Sequence, residues 1–341
     1  ASLWFAVIDR NGRELRRGRI ATGANWFVNW ADFPSLRVLD NGDWVTHYLE
    51  KSAGSTYAYD VRLVRSTDRG KTWSTPVTPH TDGTPTQHGF VSLSPLGGDR
   101  VLVVWLDGRR GAAHAGHDED GPMTLRSAVL DRSGARQEER ELDDSTCSCC
   151  QTDAVRIADR TLIAYRDRSA AEVRDIAVAV RSNGGAWSKP KIINPDGWKI
   201  EACPVNGPAV ASHGERVLTI WPTQAGGPSE VRFAVAQPAE RGTAHALDAG
   251  LGTLGRVDAA AWRDGFLVSW LGGGGGGRAG LQLAHIGAGG EILTRQTLSN
   301  VPPTRMSGNP RLAADRDRAL IAWIEPNAQK AGNALAVALL R

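Results

Sequence analysis

The residues of this sequence best suited to chemistry gather near its middle. All four cysteines fall between positions 147 and 203, as Cys147-x-Cys149-Cys150 followed by Cys203. Thiolates favour soft metals such as copper(I) or zinc. The segment His114-Ala-Gly-His117-Asp118-Glu119-Asp120 adds imidazole and carboxylate ligands. C-x-C-C is not a usual zinc spacing such as C-x-x-C, which favours copper within the metal reading. The other chemistry open to four cysteines is two disulfides, the usual state of an even count in an exported protein. Adjacent cysteines rarely bond to each other. The disulfide reading therefore expects Cys203 with Cys149 or Cys150, and Cys147 with the remaining one. Both readings stand on the sequence.

Arginine is the second chemical theme. Arg outnumbers Lys 34 to 6, and its planar fork suits carboxylates, although a GC-rich genome gives the same bias. The net charge is only +3 and no Lys/Arg run of five occurs, so a nucleic-acid groove is not indicated. The chain is 23% charged and 41% hydrophobic, the balance of a globular protein rather than a disordered one. No apolar run approaches the roughly 18 residues of a membrane-spanning helix. The sequence starts at Ala1 with no charged or apolar leader segment, so a signal peptide is expected to have been removed or never present.

These side chains need a scaffold, and the sequence repeats one. Short apolar runs end in Tyr48, Trp105, Tyr165, Trp221, Trp270 and Trp323, with a mean spacing of 55 residues. Runs of about five residues, bounded by turn residues, are strands. A short strand precedes each run, and a third and a less regular fourth follow. Six units of four antiparallel strands predict an all-β, six-bladed β-propeller as a single domain over 1–341. The sixth unit runs out of chain after its third strand. The N-terminal stretch is expected to supply the outer strand that closes the ring, with one strand left over.

Residues Ser66-Thr67-Asp68-Arg69-Gly70-Lys71-Thr72-Trp73 match the S-x-D-x-G-x-T-W Asp-box, and Ser182–Trp187 is a degenerate copy. The chain therefore resembles the sialidase (neuraminidase) superfamily of Asp-box, or BNR-repeat, propellers. In that motif Ser66, Asp68, Gly70 and Trp73 are structural: Asp and Gly make a tight turn, and the Trp packs between blades. The segments NWADFPS (29–35), CSCCQTD (147–153), YRDRS…EVRDI (165–176) and CPVNGP (203–208) are similar to bacterial exported proteins loosely labelled sialidase-like. That likeness implies a periplasmic or secreted bacterial protein.

A propeller places the loops before first strands and between second and third strands on one face. His80, His88, His114, His117 and all four cysteines fall there. Aligning the units puts Asp32, His88, Gln151, Asn206, Arg256 and Asn309 in a polar ring at the channel mouth, the default binding site. Sialidase chemistry implies arginines gripping a carboxylate, an acid and a Tyr–Glu nucleophile pair. The candidates are Arg109, Arg166, Arg174, Asn206, Arg256 and Arg305 for binding, and Asp32, His88 and Glu201 for catalysis. The family's R-I-P motif is missing, with only Arg19-Ile20-Ala21 near it, and no Tyr follows Tyr165. The leading expectation is a protein that binds an acidic glycan or other carboxylate ligand, with hydrolysis as a further step and no cofactor required. The alternatives are a copper or zinc protein using Cys147, Cys149, Cys150, Cys203, His114 and His117, and a non-catalytic interaction module.

Overall fold

The computed structural model describes residues 1–114, 122–182, 184–274, 276–327 and 332–341. The chain is all-β, and its sheets are built from sequence-consecutive antiparallel strands, the six blades of a β-propeller fold. Blade 1 holds Leu36–Val38, Trp44–Lys51 and Tyr59–Ser66; blade 2 holds His88–Pro95, Val101–Asp107, Thr124–Leu130 and Arg136–Asp143. Blade 3 runs through Asp153–Ile157, Arg160–Arg166, Ile176–Arg181 and Lys191–Asn194. Blade 4 runs through Ala209–His213, Arg216–Thr223, Glu230–Ala236 and His245–Ala249. Blade 5 is Gly255–Trp262, Gly265–Gly272, Ala279–Gly287 and Ile292–Val301, and blade 6 is Arg311–Ala314, Ala319–Asn327 and Gly332–Leu340. The chain divides into two compact units, 1–148 with 181–190 and 149–180 with 191–341.

The repeated apolar runs are the second strands. Val101–Asp107 and Gly265–Gly272 are buried at every position, because both faces of a middle strand are covered and no polar alternation is needed. Their terminal aromatics Trp105, Trp221 and Trp270 have no exposed surface. Each indole N–H is satisfied by a carboxylate at 2.7 Å: Trp105 by Asp107, Trp221 by Asp196 and Trp270 by Asp248. A buried indole needs such a partner.

Blade 1 departs from the four-strand pattern. Its fourth strand shrinks to one antiparallel bridge, Leu63 to Val77. Pro76 and Pro79 flank that bridge and lack the N–H a longer ladder would need. The two N-terminal strands, Ser2–Ile8 and Glu14–Thr22, pair with each other as a separate two-stranded sheet, and blade 6 stays three-stranded, so the N-terminal stretch does not supply the outer strand that the sequence leads one to expect of it.

The Asp-box turn forms as its residue types require. Asp68 accepts the Lys71 and Thr72 N–H groups, each at 2.9 Å, and the Thr72 hydroxyl at 2.6 Å. Those hydrogen bonds hold its carboxyl well below the usual range. Ser66 Oγ accepts from the Gly70 N–H at 2.7 Å. Trp73 packs on Trp44 of its own blade and on Phe5 of the hairpin, with ring centroids 6.5 and 6.2 Å away.

Gly70 has a left-handed φ of +84°, and an added Cβ would sit 2.8 Å from Phe5 Cζ and 2.9 Å from Trp44 Cζ3. Gly70→Ala is therefore expected to destabilise the fold by about 1–3 kcal/mol through overpacking. Urea denaturation checks this; an unchanged midpoint would mean that the hairpin does not rest on this turn.

Candidate functional site

Several strongly perturbed groups of the first unit surround two neighbouring strands, Tyr59–Ser66 and His88–Pro95. Tyr59 and Asp60 are consecutive on a strand, so their side chains leave on opposite faces. Each faces a different buried cluster.

On the Tyr59 face, Asp32 is 4% exposed. Its Oδ1 accepts from the Phe90 N–H at 2.9 Å and its Oδ2 from the Tyr59 hydroxyl at 3.0 Å. Burial outweighs both hydrogen bonds and pushes its pKa up to about 7, because a low-dielectric site disfavours the charged form. Burial, with Asp32 alongside, also raises the Tyr59 phenol well above its usual value. Gly89 lets the strands close here: a Cβ would fall 2.1 Å from Asp32 Oδ2. Phe90 bulges the strand with φ +52°, a strained conformation that costs free energy and that surrounding contacts must hold. Tyr59 stacks on Phe27 at 4.0 Å, Phe27 meets the exposed Tyr57 at 6.3 Å, and Lys51 Nζ lies 5.7 Å over the Phe27 ring. A buried acid thus connects to an accessible aromatic rim bearing one cation.

On the Asp60 face, the His80 and His88 imidazoles stack at 3.8 Å and 8°. Asp82 lies 3.1 Å from His80 Nδ1 and 3.2 Å from His88 Nε2. Asp60 Oδ1 lies 3.5 Å from His88 Nδ1 and 4.0 Å from His80 Nε2. Arg109 grips Asp107 through two nitrogens, at 2.8 and 2.7 Å, and reaches Glu139 at 3.0 Å and Asp82 at 3.3 Å. Burial opposes charge on His88, but Asp60, Asp82 and Asp107 outweigh it and hold its pKa at about 9. Burial likewise works against Asp82 and Asp107. For Asp82 the two histidines and Thr84 win, and for Asp107 Arg109 and His88 win, so both carboxyls sit below their ordinary range.

The structure thus brings Asp32, His88 and Arg109 to adjoining clusters of one unit. Arg109 there is bound to carboxylates of its own chain. Tyr59, Asp60, Asp82 and Asp107 complete these clusters, and none was singled out as a site residue by motif. A signal existed for Asp107: the Trp105-x-Asp107 spacing puts both on one strand face, as in Trp323-x-Glu325, whose indole N–H also donates to its carboxylate, at 3.1 Å.

The remaining candidates belong to the second unit. Arg166 is 2% exposed and donates to the carbonyls of Asn206, Arg174 and Pro222 at 3.0, 2.6 and 2.7 Å. Burial lowers its pKa to about 9. Arg174 donates to Glu172 at 2.9 Å. Asn206 donates to the Leu254 carbonyl and accepts from the Arg256 N–H, each at 3.0 Å. Arg256 is itself buried, donates to the Thr304 and Gly308 carbonyls at 2.9 and 3.0 Å, and has its pKa lowered to about 10 by burial. Arg305 is exposed and opens a single turn of 3-10 helix whose last residue, Ser307, is buried. Glu201 sits in a loop with its side chain 75% exposed, 3.7 Å from Lys199.

Cys203 bonds to Cys149, with Cα atoms 6.1 Å apart. Cys147 and Cys150 are disulfide-bonded too, and no free cysteine remains. Of the two cysteine readings the structure has the disulfides, and bonded sulfurs offer no thiolate to a metal. The His114 side chain and His117 lie outside the described residues.

No family model matches the sequence, and no curated protein is similar to it in sequence. Solved structures are similar in fold. A variant of the NanB sialidase of Streptococcus pneumoniae superposes with a TM-score of 0.56 at 10% identity, over 96% of this chain and 68% of that one. The Penicillium chrysogenum alpha-L-arabinanase complexed with arabinobiose gives 0.53 at 12% identity, over 91% and 92%. Trypanosoma rangeli sialidase in complex with sialic acid gives 0.51 at 10% identity, over 98% of this chain and 56% of that one. At these identities the likeness establishes the propeller fold.

The raised Asp32 pKa fixes a pH dependence. Between the ordinary carboxyl value and about pH 7 the folded chain holds a proton that the unfolded chain has released. Stability from this group therefore falls as pH rises through that window. Asp32→Asn cannot ionise and keeps an acceptor for Phe90. The stability of wild type minus that of Asp32→Asn is expected to decline from pH 4 to 7; a pH-independent difference would contradict the burial argument. Separately, Cys149→Ser or Cys203→Ser should cost about 2–5 kcal/mol in denaturant titrations of the oxidised protein.

Proposed function

We propose that this chain is a sialidase-like, glycan-binding propeller that takes an acidic sugar on the Asp32 face. One observation carries the reading: Asp32 is buried, holds its proton to about pH 7, and is linked through Tyr59 to the Phe27–Tyr57 rim beside Lys51. A carboxyl kept neutral near pH 7 is the state a glycosidase acid needs. It also removes the repulsion that an ionised Asp would exert on a sugar carboxylate. Exposed aromatic faces with a few convergent polar groups suit a sugar ring. The similar folds solved with arabinobiose and with sialic acid support a carbohydrate ligand.

Binding without hydrolysis is favoured by one feature. The Tyr59 hydroxyl donates into Asp32, and burial raises its pKa, so it is not poised as the phenolate nucleophile of sialidase chemistry. Hydrolysis, where it occurs, would use Asp32 as acid. We place the protein in the periplasm or outside the cell, on the support of four bonded cysteines, which persist in oxidising compartments.

Thermal denaturation with sialic acid tests the reading, since a ligand at a hundred times its Kd adds about 2.7 kcal/mol of stability. Sialic acid is expected to raise Tm in the wild type, and the shift should shrink in Tyr57→Ala and Lys51→Ala. Arabinobiose, uncharged, should do less. No shift at saturating sialic acid, or an equal one in both variants, would sink the proposal. Release of a fluorogenic aglycone that is lost in Asp32→Asn would add hydrolysis to binding.

A further inference from the structure

The stacked histidines of the first unit are held in a way that the glycan reading does not use. Asp82 takes one nitrogen of each ring, Nδ1 of His80 and Nε2 of His88. An ionised carboxylate only accepts, so those nitrogens carry the protons. The opposite nitrogens, His80 Nε2 and His88 Nδ1, are buried and have no hydrogen-bond partner. Both face the same atom, Asp60 Oδ1, at 4.0 and 3.5 Å. These three atoms lie within 4.8 Å of one another.

Two buried imidazole nitrogens and a carboxylate oxygen converging on one point are the donor set of a divalent transition-metal ion, which binds His88 Nδ1 by displacing the proton that this nitrogen carries while the ring is charged. A carboxylate on the far nitrogen of each histidine is the support that metal-binding histidines need, because it fixes tautomer and ring orientation. We propose that Asp60, His80 and His88 bind one divalent ion of the zinc class, with Asp82 as the positioning residue for both histidines. Ligand atoms around a four-coordinate ion with bonds of about 2.0–2.1 Å are about 3.3–3.5 Å apart. The two nitrogens, 4.0 and 3.5 Å from Asp60 Oδ1, therefore close on the ion, and the rings turn out of their parallel stack as they do so. The Asp60 side chain is 20% exposed, whereas that of His88 is fully buried. The ion thus reaches the site from the Asp60 side, and its remaining position faces outward for water or a ligand. Arg109, bound to Asp82 and Asp107, offsets part of the negative charge behind the histidines. This site is independent of the Asp32 reading, and of the cysteines, whose sulfurs are bonded.

The test is calorimetric titration of the chelator-stripped, oxidised full chain with Zn2+, alongside the visible spectrum with Co2+. One ion per chain is expected, with a ligand-field spectrum of nitrogen and oxygen donors. Asp60→Asn and His80→Ala should each abolish saturable binding, and Asp82→Asn should weaken it by about 10–100-fold. His114→Ala/His117→Ala should leave it unchanged. Should His80→Ala fail to fold, Asp60→Asn at the accessible side decides. The proposal is overturned by no stoichiometric binding in the wild type, by unchanged affinity in Asp60→Asn, or by binding that disappears only in the His114/His117 double variant.

Discussion

A backbone N–H at the start of a blade is buried against its neighbour and must find an acceptor there. The preceding blade supplies it from a side chain. Asp32 accepts from Phe90 at 2.9 Å, Gln151 from Gly207 at 3.0 Å, Asp153 from Val210 at 2.9 Å, Asn206 from Arg256 at 3.0 Å and Asp258 from Leu312 at 2.6 Å. Sheets that share no backbone ladder are thus joined through single polar side chains. Leaving one of these N–H groups unsatisfied would cost about 1–3 kcal/mol. The demand is geometric, so the acceptors recur near the first strands.

That constraint shapes the chemistry. A carboxylate used as a latch is buried by the blades it joins, and at Asp32 and Asp258 that burial raises the pKa. Asp32 rises to about 7 and Asp258 to about 6, each chiefly through burial. Asn206 and Gln151 meet the same demand without a charge and have nothing to titrate. A latch that is also an acid, next to a phenol and an accessible aromatic rim, occurs at Asp32. The neighbouring His80–His88 pair sits in a surplus of carboxylate, so there histidine gains basicity while carboxyls lose it. Two adjacent residues of one strand, Tyr59 and Asp60, thereby border environments of opposite electrostatic character.

Much of the scaffold was legible in the sequence, because it is written in periodicity. The runs ending in Tyr48, Trp105, Tyr165, Trp221, Trp270 and Trp323 are second strands, and Ser66–Trp73 forms the turn its residues demand. The shortened fourth strand of blade 1 needed attention to Pro76 and Pro79, whose missing donors were visible in advance. The polar ring was read as ligand-facing, yet Asn206, Gln151 and Asp32 each accept a backbone N–H. A side chain serving a backbone group one blade away, some 50–58 residues on, leaves no local pattern. The His80–Asp82–His88–Asp60 cluster was hidden for the same reason: its parts come from a loop and two strands, and only packing brings them together. Arg166 shows the converse. Its residue type suggested a carboxylate grip, but its environment commits it to three carbonyls.

The claim on which the functional account rests is that Asp32 is neutral below about pH 7. Infrared difference spectroscopy of wild type against Asp32→Asn reads that proton directly, through the carbonyl stretch of a protonated carboxyl. The account predicts a band at pH 5 that is absent from Asp32→Asn and titrates away with a midpoint of about 7. A midpoint in the ordinary carboxylate range, or no band at pH 5, would show that Asp32 is ionised in the folded chain and would remove it as a proton-holding group.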